Sequence, residues 1–257
     1  MPAVVLTEVV AVRPLTPNAV VVTLDGPEVT RIAYSGADQR IKLLFAREGQ
    51  RAPVLPSGDD WYGTFMALPE DVRPIMRTYT VRGQEPESGR IDVEFILHGD
   101  DGPASAWALS ARPGDPLGVI AATADDDATQ ARPYAPGAAD WQLLIGDATA
   151  LPAIASIVEQ LPAGSCARVF LQVPTPQDIR ELAGPAGDVE VTWLTGTHPA
   201  DAVRAAEFPG GTPYAWVAGE ASMVRAVRRH LLDDRGFAPR DHYFGGYWRT
   251  GVTEDGQ

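Results

Sequence analysis

The residues of this chain that could do chemistry lie in a few short stretches, and nearly all of them look suited to holding anions or flat rings. In RTYTVR, residues 77–82, a guanidinium and a phenol stand two positions apart. On a strand, Arg77 and Tyr79 share one face, with Thr78 and Thr80 on the other. An exposed face of that kind could grip a phosphate through the arginine fork while the tyrosine ring lies on a heterocycle. In HGDDGPASAW, residues 98–107, Gly102 lets backbone approach a ligand and Pro103 fits the first turn of a helix. The N–H groups of Ala104 and Ser105, with the Ser105 hydroxyl, would form an anion site sized for a pyrophosphate. In GDATALPAI, residues 146–154, small residues follow a strand and open a helix. Gly219 and Glu220 repeat that arrangement in WVAGEASM, and Tyr247, Trp248 and Arg249 form an aromatic–cationic cluster after it.

Other chemistries lack their residues. Neither the dinucleotide G-x-G-x-x-G nor the phosphate loop G-x-x-x-x-G-K-[ST] occurs. His98, His198, His230 and His242 are scattered without ligand spacing, and Cys166 is the single cysteine, so no multi-cysteine metal site, iron–sulfur cluster or intrachain disulfide can form. Cys166 heads the apolar run ARVFLQV and reads as a small buried hydrophobe. No serine stands in G-x-S-x-G.

The elements that must position these residues fall into two kinds. Before about residue 121, runs such as VVLTEVVAV, AVVVTLDG, RIKLLF, RTYTVR and IDVEFILHG are rich in β-branched and aromatic residues and often alternate. Five or six strands of this kind predict an antiparallel sandwich or small barrel. In RIKLLF, alternation sets Lys42 and Leu44 against Ile41, Leu43 and Phe45, whose face suits the core. The stretch from Gly49 to Asp71 reads as a loop carrying Trp61, Tyr62 and Phe65. A polar, Pro/Gly-rich segment over 122–140 predicts a linker between domains 1–121 and 141–257. Beyond it, strands (WQLLIG, ARVFLQV, VEVTWL, YAWVAG) alternate with helical patterns (LPAIASIVEQL, PQDIRELA, a short helix near Asp201, EASMVRAVRRHLLDDR). Such alternation predicts a parallel sheet with helices on its faces, and ligands outside the carboxyl ends of its strands.

The formal net charge of −13 offers no basic field for phosphates, which argues against nucleic-acid and anionic-membrane partners. No basic leader precedes the first strand and no 18-residue apolar run occurs, so the expectation is a soluble cytoplasmic protein.

Taken in order, R-x-Y-T-x-R, H-G-D-x-G-P-A-S-x-W-A, G-D-x-T-A-L-P-A-I, W-V-A-G-E-A and G-Y-W-R-x-G resemble the siderophore-interacting protein family from about Val4 to Gly251. That family comprises flavin reductases of ferric siderophores, related to ferredoxin-NADP reductases. The resemblance implies an N-terminal FAD-binding barrel, a C-terminal α/β domain for NADH or NADPH (with ferredoxin as the other donor), and a tail returning to the flavin. It implies that Arg77, Tyr79 and Thr80 bind the flavin end of FAD and that His98, Asp100, Ala104 and Ser105 hold the pyrophosphate and ribityl region. Asp147, Thr149 and Ala150 would line the flavin–nicotinamide junction, Trp248 and Arg249 would close the site, and Lys42 and Arg40 would draw in the ferric siderophore. Ala148 departs from the family's usual glutamate. Such a reaction needs no dedicated acid, base or metal site of the protein, because the cofactor carries the chemistry. Two rivals remain at this point: a flavin reductase serving a protein acceptor, and a siderophore carrier without turnover.

Overall fold

Valines, isoleucines and phenylalanines at every second position leave the first half of the chain with one apolar face per strand, and a sheet can bury such a face by closing on itself. The computed structural model describes residues 2–34, 36–97, 102–123, 126, 134–184, 187–240 and 242–252, and the chain divides into two compact units, Met1–Arg132 and Pro133–Gln257. In the first, strands β1 (Ala3–Thr16), β2 (Ala19–Asp25), β3 (Arg40–Phe45), β4 (Ile75–Gln84), β5 (Ile91–Ile96) and β6 (Pro116–Ala121) form a closed antiparallel barrel in the order β1-β2-β5-β4-β3-β6. Closure leaves no unpaired sheet edge. Ile41, Leu43 and Phe45 point inward with Val22, Leu24, Val93, Phe95, Leu117 and Val119, as the alternation in RIKLLF predicts.

Helix α2 (Pro103–Ser110) buries Ala104 and Ala108 in this same core. Its Trp107 ring stands 5.3 Å from that of Phe45 and 5.5 Å from that of Phe95. On the outer face, Leu44 is covered by Phe65 of helix α1 (Trp61–Ala67) and by Ile120. This helix corrects the loop expected over 49–71. Asp60 caps it by accepting the Gly63 N–H at 2.9 Å, but a seven-residue helix with a glycine inside and one buried side chain has no periodic stripe to betray it.

In the second unit, β7 (Trp141–Gly146), β8 (Cys166–Gln172), β9 (Asp188–Leu194), β10 (Pro213–Glu220) and β11 (Tyr243–Trp248) form a parallel sheet in the order β11-β10-β7-β8-β9. The interior strand β7 is buried along its whole length, which explains its unbroken apolar run. Helix α3 (Leu151–Glu159) is buried from Leu151 to Val158, more deeply than a one-sided stripe requires. Helices α4 (Pro199–Ala205) and α5 (Ala221–Arg229) follow, and a π turn over His230–Asp234 continues α5.

Two expectations, for PQDIRELA and for Cys166, need correction here. The helix expected in PQDIRELA is a single 3-10 turn, Pro176–Asp178, closed by a Thr175–Asp178 capping box. Ile179, its next apolar residue, is exposed, so no buried face holds further turns. GGYW, for which the sequence announces no element, is the end of the edge strand β11, in which Tyr243 stacks on Trp216 at 5.4 Å. Cys166 is half-buried rather than buried; burial pushes its thiol up, and its hydrogen bond to Asp188 at 3.5 Å acts in the same direction.

Candidate functional site

The chain runs outward from β7 to β9 and then crosses to β10 on the other side, so the carboxyl ends of β7 and β10 mark the point where strand order reverses. Asp147 stands there, one residue past β7, and only 9% of it is exposed. Its Oδ1 accepts from the Thr149 N–H at 2.9 Å and the Thr149 hydroxyl at 2.5 Å. Its Oδ2 accepts from the Glu220 N–H at 2.7 Å and from the indole Nε1–H of Trp248 at 2.9 Å. One carboxylate thus ties together the ends of β7, β10 and β11. Four charge-assisted donors satisfy a buried anion that would otherwise be costly to hold.

Two glycines make this approach close enough. A Cβ on Gly146 would lie 2.6 Å from the Ala150 methyl. Gly219 has φ +135, and a Cβ there would lie 2.5 Å from Asp147 Oδ2. Next to it, Glu220 caps α5, accepting from the Ser222 and Met223 amides at 2.5 and 3.0 Å and from the Ser222 hydroxyl, while its other oxygen takes the Thr250 N–H at 3.4 Å. Burial pushes the Glu220 carboxyl up, but the Ser222 hydroxyl and the amides of Met223, Ser222 and Thr250 outweigh it and hold the group below its ordinary value of 4.5. A group so depressed contributes stability above its unfolded value and loses it as pH falls through the folded one. Glu220→Gln should therefore cost about 1 kcal/mol at neutral pH. The gap should close below about pH 4. Melting temperatures of both proteins across that range check this, and a gap that persists in acid would remove the charge from the explanation.

Of the residues expected at the junction, Asp147, Thr149 and Trp248 come together and Ala150 does not join them. Its methyl is fully buried, so it offers no side-chain surface to a ligand. Thr149 spends its hydroxyl on Asp147. Trp248 remains 42% exposed with its nitrogen fixed, and Arg249 is exposed, in a backbone bridge with Val252.

In the barrel unit, the β3–β4 register pairs Ile41 with Tyr79 and Leu43 with Arg77, and pairs Arg40 with Thr80 and Lys42 with Thr78. Directly opposed residues share a face. Arg77 and Tyr79 therefore lie together on the core-side face and are half-buried, not fully exposed as expected. The Tyr79 ring rests 4.5 Å from Phe95, and Phe95 leads on to Trp107 of α2. Thr80 is buried on the opposite face, with Arg40 and Lys42, so β4 separates it from Arg77 and Tyr79. Ala104 and Ser105 sit in the first turn of α2, both buried. His98 and Asp100 lie outside the described residues.

On the outer face, Arg40, Lys42, Thr78, Trp61 and Asp126 line a cleft of about 580 Å³. Lys42 Nζ donates to Thr78 Oγ1 at 2.7 Å across the β3–β4 pair. Sequence reading missed Thr78 and Trp61 here. The Lys42–Thr78 pair spans 36 positions, and no local pattern announces it. Among the described residues, no cluster of three or more His, Cys, Asp or Glu could hold a metal ion.

Comparison with known proteins covers both units. The family model of the siderophore-interacting FAD-binding domain matches residues 8–126, and that of the siderophore-interacting protein matches residues 139–251. Ferric vibriobactin reductase ViuB of Vibrio cholerae is 30% identical over 258 residues, spanning 97% of this chain and 91% of that protein. The crystal structure of a siderophore utilization protein from T. fusca superposes with a TM-score of 0.82 at 33% identity, over 98% of this chain and 95% of that one. A ferredoxin NADP+ reductase from Neisseria gonorrhoeae shares the fold, with a TM-score of 0.64 at 15% identity over 95% and 99% of the two chains.

Proposed function

Because the chain belongs to the siderophore-interacting protein family, whose barrel is an FAD-binding domain, we propose that it reduces a ferric siderophore in the cytoplasm, through FAD, with electrons from NADH, NADPH or a ferredoxin. The observation that carries this reading is the pairing, in one chain, of that barrel with a parallel sheet built like those of ferredoxin reductases.

The barrel's residues suit FAD. Arg77 and Tyr79 share one half-buried face. At the start of α2, a Cβ on Gly102 would meet nothing within 4 Å among the described residues, which suits the close approach of a ligand to the backbone there. Arg77 would hold a phosphate, Tyr79 would orient the ring system, and the amides of Ala104 and Ser105 would receive the pyrophosphate. What the cofactor supplies when bound is the exchange between a two-electron donor and the one-electron reduction of ferric iron. On the sheet unit, Asp147 would fix Trp248 and Thr149 at the strand ends where a nicotinamide nucleotide is expected. Ferrous iron is held weakly by hard-oxygen chelators, so reduction would release it.

The test is the visible spectrum of the purified protein under anaerobic conditions. A yellow protein bleached by NADH, NADPH or a reduced ferredoxin, and recoloured by a ferric siderophore, is the expected result. A colourless protein that binds the chelate without consuming any donor would make it a carrier instead. Lys42→Ala should raise KM for an anionic ferric chelate about fivefold, the equivalent of roughly 1 kcal/mol for a partly exposed charge. The effect should shrink at high salt. Reduction by the electron donor should be unchanged, and an unaltered KM at low salt removes Lys42 from the substrate path.

A further inference from the structure

Trp61 brings an aromatic ring to the cleft from an element that cannot hold itself in place. A seven-residue helix is not stable in water on its own, and Gly63 weakens α1 further. The glycine is required there, because a Cβ would run into the Asp60 carboxylate that caps the helix. Phe65 is the one side chain of α1 buried against the barrel. At its carboxyl end the backbone turns extended at Leu68, and the last carbonyls have no further turn to bond them. We infer that Arg73, which does not itself line the cleft, is the positioning residue for Trp61, setting the indole by clasping that end of α1. The inference rests on the reading above, in which the ferric chelate occupies the cleft.

The guanidinium supplies what the helix lacks. Arg73 Nη2 donates to the Met66 and Leu68 carbonyls at 2.8 Å each, and Nε donates to the Leu68 carbonyl at 3.2 Å. A cation is favoured at that end of the helix dipole. The same guanidinium stands 6.0 Å from the centre of the Phe65 ring. Phe65 lies one turn beyond Trp61, and both pack in the cluster of Leu44 and Ile120, so a shift of Phe65 passes to the indole. The clasp is itself anchored. The Arg73 N–H donates to the Pro69 carbonyl at 2.8 Å. The Arg73 carbonyl accepts from Arg47 Nε at 2.8 Å, and the Val72 carbonyl from Gln50 Nε2 at 3.4 Å. Arg47 follows β3 and Arg73 precedes β4, the strands that bring Lys42 and Thr78 to the same cleft. A lysine at 73 could keep the charge and one bond, but not the fork that spans two carbonyls.

Two measurements on the holoprotein test this. Hydrogen exchange read by mass spectrometry should show the amides of residues 64–68 exchanging about tenfold faster in Arg73→Met, which keeps an apolar stem near Phe65, with the barrel strands unchanged. Calorimetric titration would use a redox-inert gallium(III) tricatecholate or trihydroxamate, whichever the unmodified protein binds more tightly. Arg73→Met should weaken that binding about fivefold, and Arg73→Lys by an intermediate amount. In a Trp61→Leu background, Arg73→Met should cost less than a further twofold, because the clasp acts through the indole. Flavin content and the rate of flavin reduction by the donor should be unaltered in both Arg73 variants. Where Arg73→Met fails to fold, Arg73→Lys carries the same comparisons. Unchanged exchange over 64–68 would overturn the inference. So would an equal loss of affinity with and without Trp61, which would mean that the lost charge acts through space. If the unmodified protein binds neither chelate while exchange responds as expected, the clasp on α1 stands and the assignment of the cleft to a ferric chelate falls.

Discussion

Gly219→Ala is expected to lower the stability of the sheet unit by about 3–5 kcal/mol, with a fall in melting temperature of roughly 10–20 °C. The φ of +135 at this position is one that side chains other than glycine rarely adopt. The added methyl would also lie 2.5 Å from Asp147 Oδ2. That carboxylate cannot swing aside without giving up the Glu220 amide and the Trp248 indole. Gly236→Ala is a partial control, because nothing described lies within 4 Å of a Cβ on Gly236 and its φ of +71 carries the milder left-handed backbone penalty without the collision. If both variants lose the same amount, the collision has no role. Combining Gly219→Ala with Asp147→Ala should cost less than the two changes summed, since removing the carboxylate removes what the methyl strikes. Strict additivity would show that the two residues do not interact.

Arg77→Ala should yield a folded protein that retains little flavin. Arg77 lies on the core-side face of β4 beside Tyr79, half-buried, with one guanidinium nitrogen donating to the Met76 carbonyl at 2.9 Å. That bond steadies the fork beside the ring expected to carry the isoalloxazine. Removing a charge-assisted hydrogen bond to phosphate at a half-buried site costs about 1.5–3 kcal/mol, which is ten- to a hundredfold in affinity. Flavin content per protein, read from absorbance, should fall while the melting temperature of the flavin-free form stays close to that of its unmodified counterpart. Arg77→Lys should fall between the two, since it keeps the charge and loses the fork. Flavin content at the unmodified level in Arg77→Ala would refute the assignment of this face to the cofactor.

Much of this architecture is legible from residue types because local pattern and tertiary demand agree. The alternation in RIKLLF separates the core residues Ile41, Leu43 and Phe45 from Lys42 and Leu44, and the register of β3 and β4 bears this out. The apolar run of β7 announces an interior strand. What escapes such reading is set by long-range partners. Nothing near Phe244–Gly246 alternates, yet the segment pairs along β10 because Tyr243 has Trp216 to stack on. Alternation alone makes Leu44 a surface leucine, and it is buried by Phe65 of α1, packed from outside, together with Ile120 of β6. At the junction, the Asp147–Thr149 turn is readable from D-x-T alone. That the same carboxylate also takes the Glu220 amide and the Trp248 indole is invisible, because those partners stand 73 and 101 positions away.

That last distance bears on how the molecule is made. The strands of the second unit leave the ribosome in the order β7, β8, β9, β10, β11, but the sheet is assembled with β10 and β11 on the far side of β7. Until β10 emerges, one flank of β7 has no strand to pair with, and until Trp248 emerges the Asp147 carboxylate lacks one of its donors. A nascent chain halted before residue 243 would carry β10 as a bare edge, open to other strands. Completion of this unit therefore waits on β11, and chaperone demand should concentrate in the interval between synthesis of β7 and release of β11.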